Sequence, residues 1–235
     1  MNAPQGLPDS PLAAYERALM RGFVADAAQR RAVEALQHCH EAVNRGERPL
    51  GVYLWGPVGR GKTWLMDSFY NSLRVPARRQ HFHHFMQWVH RRQFQLTGNA
   101  DPLRLLAEEL GREVRVLCFD ELFVSDIGDA MLLGRLLSLV VEQGVVLVAT
   151  SNQPPDQLYA DGYNRERFLP AIAALQAHMQ VVTVDGEQDH RLHPGAEVQR
   201  YWVRQSKALA EQFARLSEGQ AISSEPVELA HRRVS

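Results

Sequence analysis

The chemistry in this chain begins at a glycine-spaced turn. Gly56, Pro57, Val58, Gly59, Arg60, Gly61, Lys62 and Thr63, running on into Trp64, fit the phosphate-loop pattern G-x-x-x-x-G-K-[ST]. Glycines let the backbone curl so that successive N–H groups face phosphate oxygens. A helix opening at the loop's end adds its partial positive charge. Lys62 reaches the β- and γ-phosphates as a compact ammonium, which a forked guanidinium does not imitate. Composition sharpens the point. Of 26 basic residues only Lys62 and Lys207 are lysines, so lysine stands here where arginine was otherwise the habit. Thr63 offers a hydroxyl to Mg²⁺.

The segment Val116-Leu-Cys-Phe-Asp120-Glu121 reads as an apolar strand ending in two carboxylates. Asp120 would hold Mg²⁺ through its water shell, and Glu121 would orient and deprotonate an attacking water. Acidic residues also end strands as plain solvated turns. It is the order, loop lysine first and paired acids after, that favours the chemical reading. A further strand ends Thr150-Ser151-Asn152, which places Thr150 or Asn152, with Asn152 preferred, beside the γ-phosphate. Small polar residues there are also ordinary turn formers. Arg165 and Arg167 are read at the start of a helix, where the macrodipole disfavours them, which suggests a function, the alternative for either being an idle surface face.

These residues need elements to carry them. Ser10-Pro11 reads as a cap and first turn closed by Gly22, and Asp26 caps a second helix running to Gly46. Short apolar strands are expected at Gly51–Trp55 and around His81–Phe85, Val114–Phe119, Val145–Thr150 and Val181–Val184. Helices are expected at 63–73, 86–96, 102–111, 129–142 and 168–178. Strands alternating with helices imply an α/β fold with a parallel five-stranded sheet covered on both faces. The domain reading is an N-terminal helical linker over 1–48, an ATPase core over 49–185 and the start of a C-terminal subdomain over 186–235. That last piece, with a helix at 205–216 and one strand at 226–234, is expected to break off partway.

Composition bounds the rest. With 45% hydrophobic and 23% charged residues the chain can build a core, which argues against whole-chain disorder. A net charge of −1 gives no bulk attraction to nucleic acid or anionic membrane. Cys39 and Cys118 point to a reducing compartment rather than a disulfide framework. No apolar run approaches the length of a bilayer span, so a cytoplasmic location is expected.

Loop, acid-tipped strand, polar-ended strand and following arginines together resemble an AAA+ ATPase core. The segment Gly51-Val-Tyr-Leu-Trp-Gly-Pro-Val-Gly-Arg-Gly-Lys-Thr-Trp-Leu-Met-Asp67 resembles that of the ZapE cell-division ATPases and their mitochondrial AFG-like, lactation-elevated relatives. The likeness continues through His81-Phe-His-His-Phe-Met86, Cys118-Phe-Asp-Glu-Leu-Phe-Val-Ser-Asp-Ile-Gly-Asp-Ala-Met-Leu-Leu133, Ala149-Thr-Ser-Asn-Gln-Pro-Pro-Asp-Gln-Leu-Tyr159 and Arg167-Phe-Leu-Pro-Ala-Ile172. The resemblance implies ATP and Mg²⁺ as cofactors, Glu121 as catalytic carboxylate, Asn152 as sensor and an arginine finger at Arg165 or Arg167. It implies the division ring as partner, through the tubulin-like FtsZ or another ring protein. A nucleotide-dependent homo-oligomer, meeting membrane-associated machinery only indirectly, belongs to the same implication. In such ATPases the residues before the first strand often build the adenine pocket. Gln29 is then a candidate reader of the adenine edge, its alternative being an exposed helix residue.

Two other functions stay open on the sequence: a nucleic-acid-linked helicase loader on the same core, and a clamp that holds ATP without turnover. The stretch Arg74–Arg92, rich in Arg and His and free of acids, could form a basic face for an acidic partner, a metal site or an idle surface. Phe82, Phe85, Trp88 and Phe94 within it read as core.

Overall fold

A computed structural model describes residues 10–24, 26–186, 227–229 and 232–234. Two helices open it. In α1 (Pro11–Met20) the Ser10 hydroxyl accepts from the Ala13 N–H, with Pro11 at the first turn. In α2 (Ala27–Asn44) the Asp26 carboxylate accepts from the Ala28 and Gln29 N–H groups. The core then alternates: β1 (Gly51–Trp55), α3 (Lys62–Ser72), β2 (Ala77–His81), α4 (Phe82–Gln95), α5 (Pro102–Glu113), β3 (Val116–Asp120), α6 (Ile127–Glu142), β4 (Val146–Ser151), α7 (Leu169–His178) and β5 (Met179–Thr183).

The five strands form one parallel sheet in the order β2-β3-β4-β1-β5. The chain therefore leaves β1 for the far edge and steps back inward, which lines up the carboxyl ends of β3, β4 and β1. Ligands of open α/β sheets gather at such ends.

Pleating divides the core. Leu117, Phe119, Leu147 and Ala149 face α4 to α7, while Val116, Cys118, Val146 and Val148 face α2 and α3. Asp120 continues the second set, so it lies on the side of α3.

The strand expected around His81–Phe85 is corrected. β2 ends at His81, and Phe82 begins α4. Buried Phe82, Phe85, Met86 and Val89 recur at three and four residues, the helical period, although their first members mimic an apolar run. The actual strand, Ala-Arg-Arg-Gln-His, is polar because it forms a sheet edge. Phe94 is not core: it is 80% exposed. The basic stretch is not a single face either, since Arg78 lies over Trp88, Arg79 pairs with acids and Arg92 pairs with Glu109.

The chain divides into compact units at Met1–His193 and Pro194–Ser235. In the second unit β6 (Val227–Leu229) pairs antiparallel with β7 (Arg232–Val234), where one strand was expected. The helix expected at 205–216 lies outside the described residues.

Candidate nucleotide site

The loop after β1 turns on glycines: Gly59 and Gly61 take φ of 86° and 81°, and Gly61 caps α3. Gly56 is constrained by space, because a Cβ there would meet the Val184 carbonyl oxygen at 2.2 Å. Lys62 opens α3 and folds back over the loop. Its Nζ donates to the carbonyl oxygens of Gly56 (2.5 Å) and Pro57 (2.7 Å) and to Asn152 Oδ1 (3.0 Å). Burial pulls its pKa down to about 8, with Glu121 opposing and Arg60 adding to the effect.

A cavity of about 450 Å³ sits on this loop, lined by Val58–Trp64 together with Phe23, Glu121, Thr150, Ser151 and Asn152. At one end Phe23 and Trp64 stack, ring centroids 5.9 Å apart at 22°, and Tyr15 meets Phe23 edge-on. Gln29 is buried, which corrects its reading as an exposed helix residue. Its Nε2 donates to the Arg60 carbonyl oxygen at 3.0 Å, while among the described residues its Oε1 and the Nε and Nη1 of Arg60 have no partner. Buried polar atoms of this kind need a ligand or water to satisfy them.

Glu121 is held by β4. It takes φ of 54°, uncommon for a residue with a side chain, and its N–H donates to Thr150 Oγ1 at 3.1 Å. The next N–H, of Leu122, donates to the Thr150 carbonyl oxygen at 2.7 Å, and Ser151 Oγ donates to the Leu122 carbonyl oxygen at 2.8 Å. Three bonds thus fix the strained turn, and the Glu121 carboxylate projects outward, 75% exposed. Thr150 and Asn152 divide their labour: one holds the Glu121 backbone, the other meets Lys62. Glu121, Ser151 and Asn152 also line a second cavity of about 510 Å³ with His83, Phe123 and Asp129.

Asp120 carries a partner that sequence reading missed. Arg79 Nε donates to its Oδ2 at 2.7 Å and Nη2 to its Oδ1 at 3.1 Å, while Nη1 donates to Asp67 Oδ1. Burial would lower the Arg79 pKa, but the bonds to Asp120 and Asp67 outweigh it and hold the guanidinium above its ordinary value. The signal lay in strand alternation, since Arg79 pairs with Cys118 and shares the face of Asp120. It is hidden when β2 is placed four residues too late.

The arginines before β5 are also corrected. Arg165–Arg167 form a separate 3-10 turn entered through Asn164 at φ 56°, and α7 begins only at Leu169. The macrodipole argument therefore does not apply to them. Arg165 Nη2 donates to the Asp156 carbonyl oxygen, Arg167 is exposed, and neither lines either cavity.

Among the described residues no helix is long and apolar enough to cross a membrane. The solved structure of DnaI superposes with a TM-score of 0.56 at 18% identity, covering 72% of this chain and 87% of that one. AMPPCP-bound DnaA from Aquifex aeolicus gives 0.54 at 16% identity over 84% and 64%. These likenesses show the fold alone, a parallel five-stranded sheet flanked by helices. The cell division protein ZapE of Escherichia coli K12 is 55% identical over 143 residues, 60% of this chain and 38% of that protein. The chain thus spans well under half the length of this relative. Residues 9–235 match the AFG1-like ATPase family, and the chain belongs to it.

Proposed function

We propose that this chain binds ATP with Mg²⁺, hydrolyses it, and uses the cycle to remodel a protein assembly in cell division. The observation that carries the reading is the convergence of Lys62, Asn152, Asp120 and Glu121 at the carboxyl ends of three adjacent strands. The unsatisfied Nε and Nη1 of Arg60 beside the loop fit an anionic group, and the Gln29 Oε1 acceptor fits a donor on the same occupant. Family membership and the ZapE likeness support the choice of ATP and of the division machinery.

In this mechanism the loop N–H groups and the α3 N-terminus cradle phosphate oxygens, and Lys62 leaves the Gly56 and Pro57 carbonyls to meet the β- and γ-phosphates. Phe23 and Trp64 give the base an aromatic wall, with Gln29 Oε1 as an acceptor for the adenine amino group. Thr63 and Asp120 offer hard oxygen donors that suit Mg²⁺, which when bound offsets negative charge on the phosphate oxygens. Glu121 takes a proton from the attacking water, and Asn152 orients that water. Arg165 or Arg167 reaches the γ-phosphate of a neighbouring copy in a nucleotide-dependent homo-oligomer. The partner is FtsZ or another division-ring protein, met in the cytoplasm.

The test is phosphate release from ATP by this chain and by a longer form, with and without Mg²⁺, followed by co-sedimentation with FtsZ polymers. Mg²⁺-dependent release and nucleotide-dependent pelleting are expected. Absence of fluorescent-ATP binding would remove the nucleotide reading, and binding without pelleting would remove the ring partner.

A further inference from the structure

Asp67, Arg79 and Asp120 form a triad beside the nucleotide cavity. The Arg79 side chain is 16% exposed and Asp120 is 12% exposed, whereas Asp67 is 48% exposed. A shielded, two-pronged guanidinium–carboxylate pair is strong and directional. Yet Asp120 is the carboxylate that the proposed function assigns to the cation, and this inference rests on that assignment. The pair already occupies both Asp120 oxygens. A divalent cation at the same carboxylate would stand close to the guanidinium, and like charges at such range disfavour one another.

Arg79 has a second acceptor. Asp67 lies four residues beyond Thr63 on α3, one helical turn from the hydroxyl that would share the cation. We propose that Arg79 is an exchangeable counter-ion for Asp120: it holds the carboxylate before a divalent cation is taken up, then passes to Asp67 alone. The triad carries a single net negative charge while Arg79 bridges both acids. Release of Asp120 makes that carboxylate available, and Asp67 keeps the guanidinium from being left buried without a partner. Arg79 therefore sets cation affinity from the sheet edge, and it does so by opposing binding. A residue that only positioned Asp120 would act in the opposite sense.

The sign of the effect is the test. With ADP present and protein in excess, Mn²⁺ is titrated and free Mn²⁺ is read by electron paramagnetic resonance. Arg79→Gln is expected to tighten Mn²⁺ binding by about tenfold or more, the scale of one nearby like charge removed. Asp67→Asn is expected to weaken it several-fold, because Arg79 then rests on Asp120 alone. Unchanged or weaker binding in Arg79→Gln overturns the proposal. Should that variant fail to fold, Asp67→Asn at its half-exposed position decides, and unchanged or tighter binding there overturns it. Asp120→Asn separates the two layers. Unchanged Mn²⁺ binding in that variant removes Asp120 from the cation site and this inference with it. Loss there with no response to Arg79→Gln defeats the counter-ion alone.

Discussion

Lys62 Nζ donates to Asn152 Oδ1 at 3.0 Å, tying the loop after β1 to the residue that follows β4. The two strands are parallel neighbours, with Trp55 opposite Ser151, so their carboxyl ends emerge side by side. Lys62 rests on three oxygens of the protein itself, two of them backbone. An incoming phosphate would compete for an ammonium that is already satisfied, and the two ends of this bond should therefore fail differently when removed.

Lys62→Ala is expected to weaken ATP binding by roughly tenfold to a hundredfold, the scale of a lost hydrogen bond to a charged group. Asn152→Ala should leave affinity near the unmodified value and lower hydrolysis. Titration of a fluorescent ATP analogue beside phosphate-release rates checks both. Equal affinity in Lys62→Ala and the unmodified chain would show that this loop is not the nucleotide site.

Glu121→Gln should separate binding from chemistry. The amide keeps size and hydrogen bonding but cannot accept a proton, so ATP binds and persists. The carboxylate is exposed and meets His81 Nδ1 at 3.9 Å, and its backbone stays pinned by Thr150, so the fold should not suffer. Loss of a general base lowers rate by about 10²–10⁴-fold. Single-turnover hydrolysis at the unmodified rate would remove Glu121 from the mechanism.

Gly134 lies in α6 where α7 approaches closely: a Cβ there would meet the Ala171 backbone N at 2.9 Å and Cα at 3.0 Å. Replacing an exposed helical glycine by alanine ordinarily gains about 1 kcal/mol. Here the contact is backbone and cannot rotate away, so Gly134→Ala should destabilise by about 1–3 kcal/mol. The midpoint of urea unfolding checks this. A midpoint that rises instead would mean that α7 yields freely.

Sequence legibility followed chain proximity. Loop glycines, Lys62 and Thr63 are contiguous, and the Asp120-Glu121 pair sits at the end of an apolar strand, so their types and order could be read directly. Helix starts were equally plain where Ser10 and Asp26 cap them. What escaped required pairing between distant segments. Arg79 meets Asp120 only because β2 adds to β3 as a polar edge strand, and edge strands lack the apolar signature of buried ones. Likewise Phe23 and Trp64 stack across 41 positions in the chain, with nothing local to announce it. Gln29 looked solvent-facing among its polar neighbours, but α2 presents it to Arg60, a contact set by packing.

Arg167 supplies the last prediction. A finger must reach the γ-phosphate from outside, because the loop, Glu121 and Asn152 already wall the cavity on its own side. Arg167 is exposed and lines neither cavity of its own chain, whereas Arg165 is partly spent on the Asp156 carbonyl. That contrast favours Arg167 as the residue offered to a neighbouring copy, entering by way of the second cavity where Glu121 and Asn152 stand exposed to it. Arg167→Ala should bind ATP normally and lose hydrolysis by about 10³-fold or more, as arginine fingers do. Mixing it with Lys62→Ala should restore partial activity, since the first retains an intact nucleotide site and the second an intact finger. Phosphate release is measured over a range of mixing ratios in material shown to co-assemble. No recovery at any ratio would tell against a finger acting between copies, and a matching loss in Arg165→Ala alone would move the role two residues back.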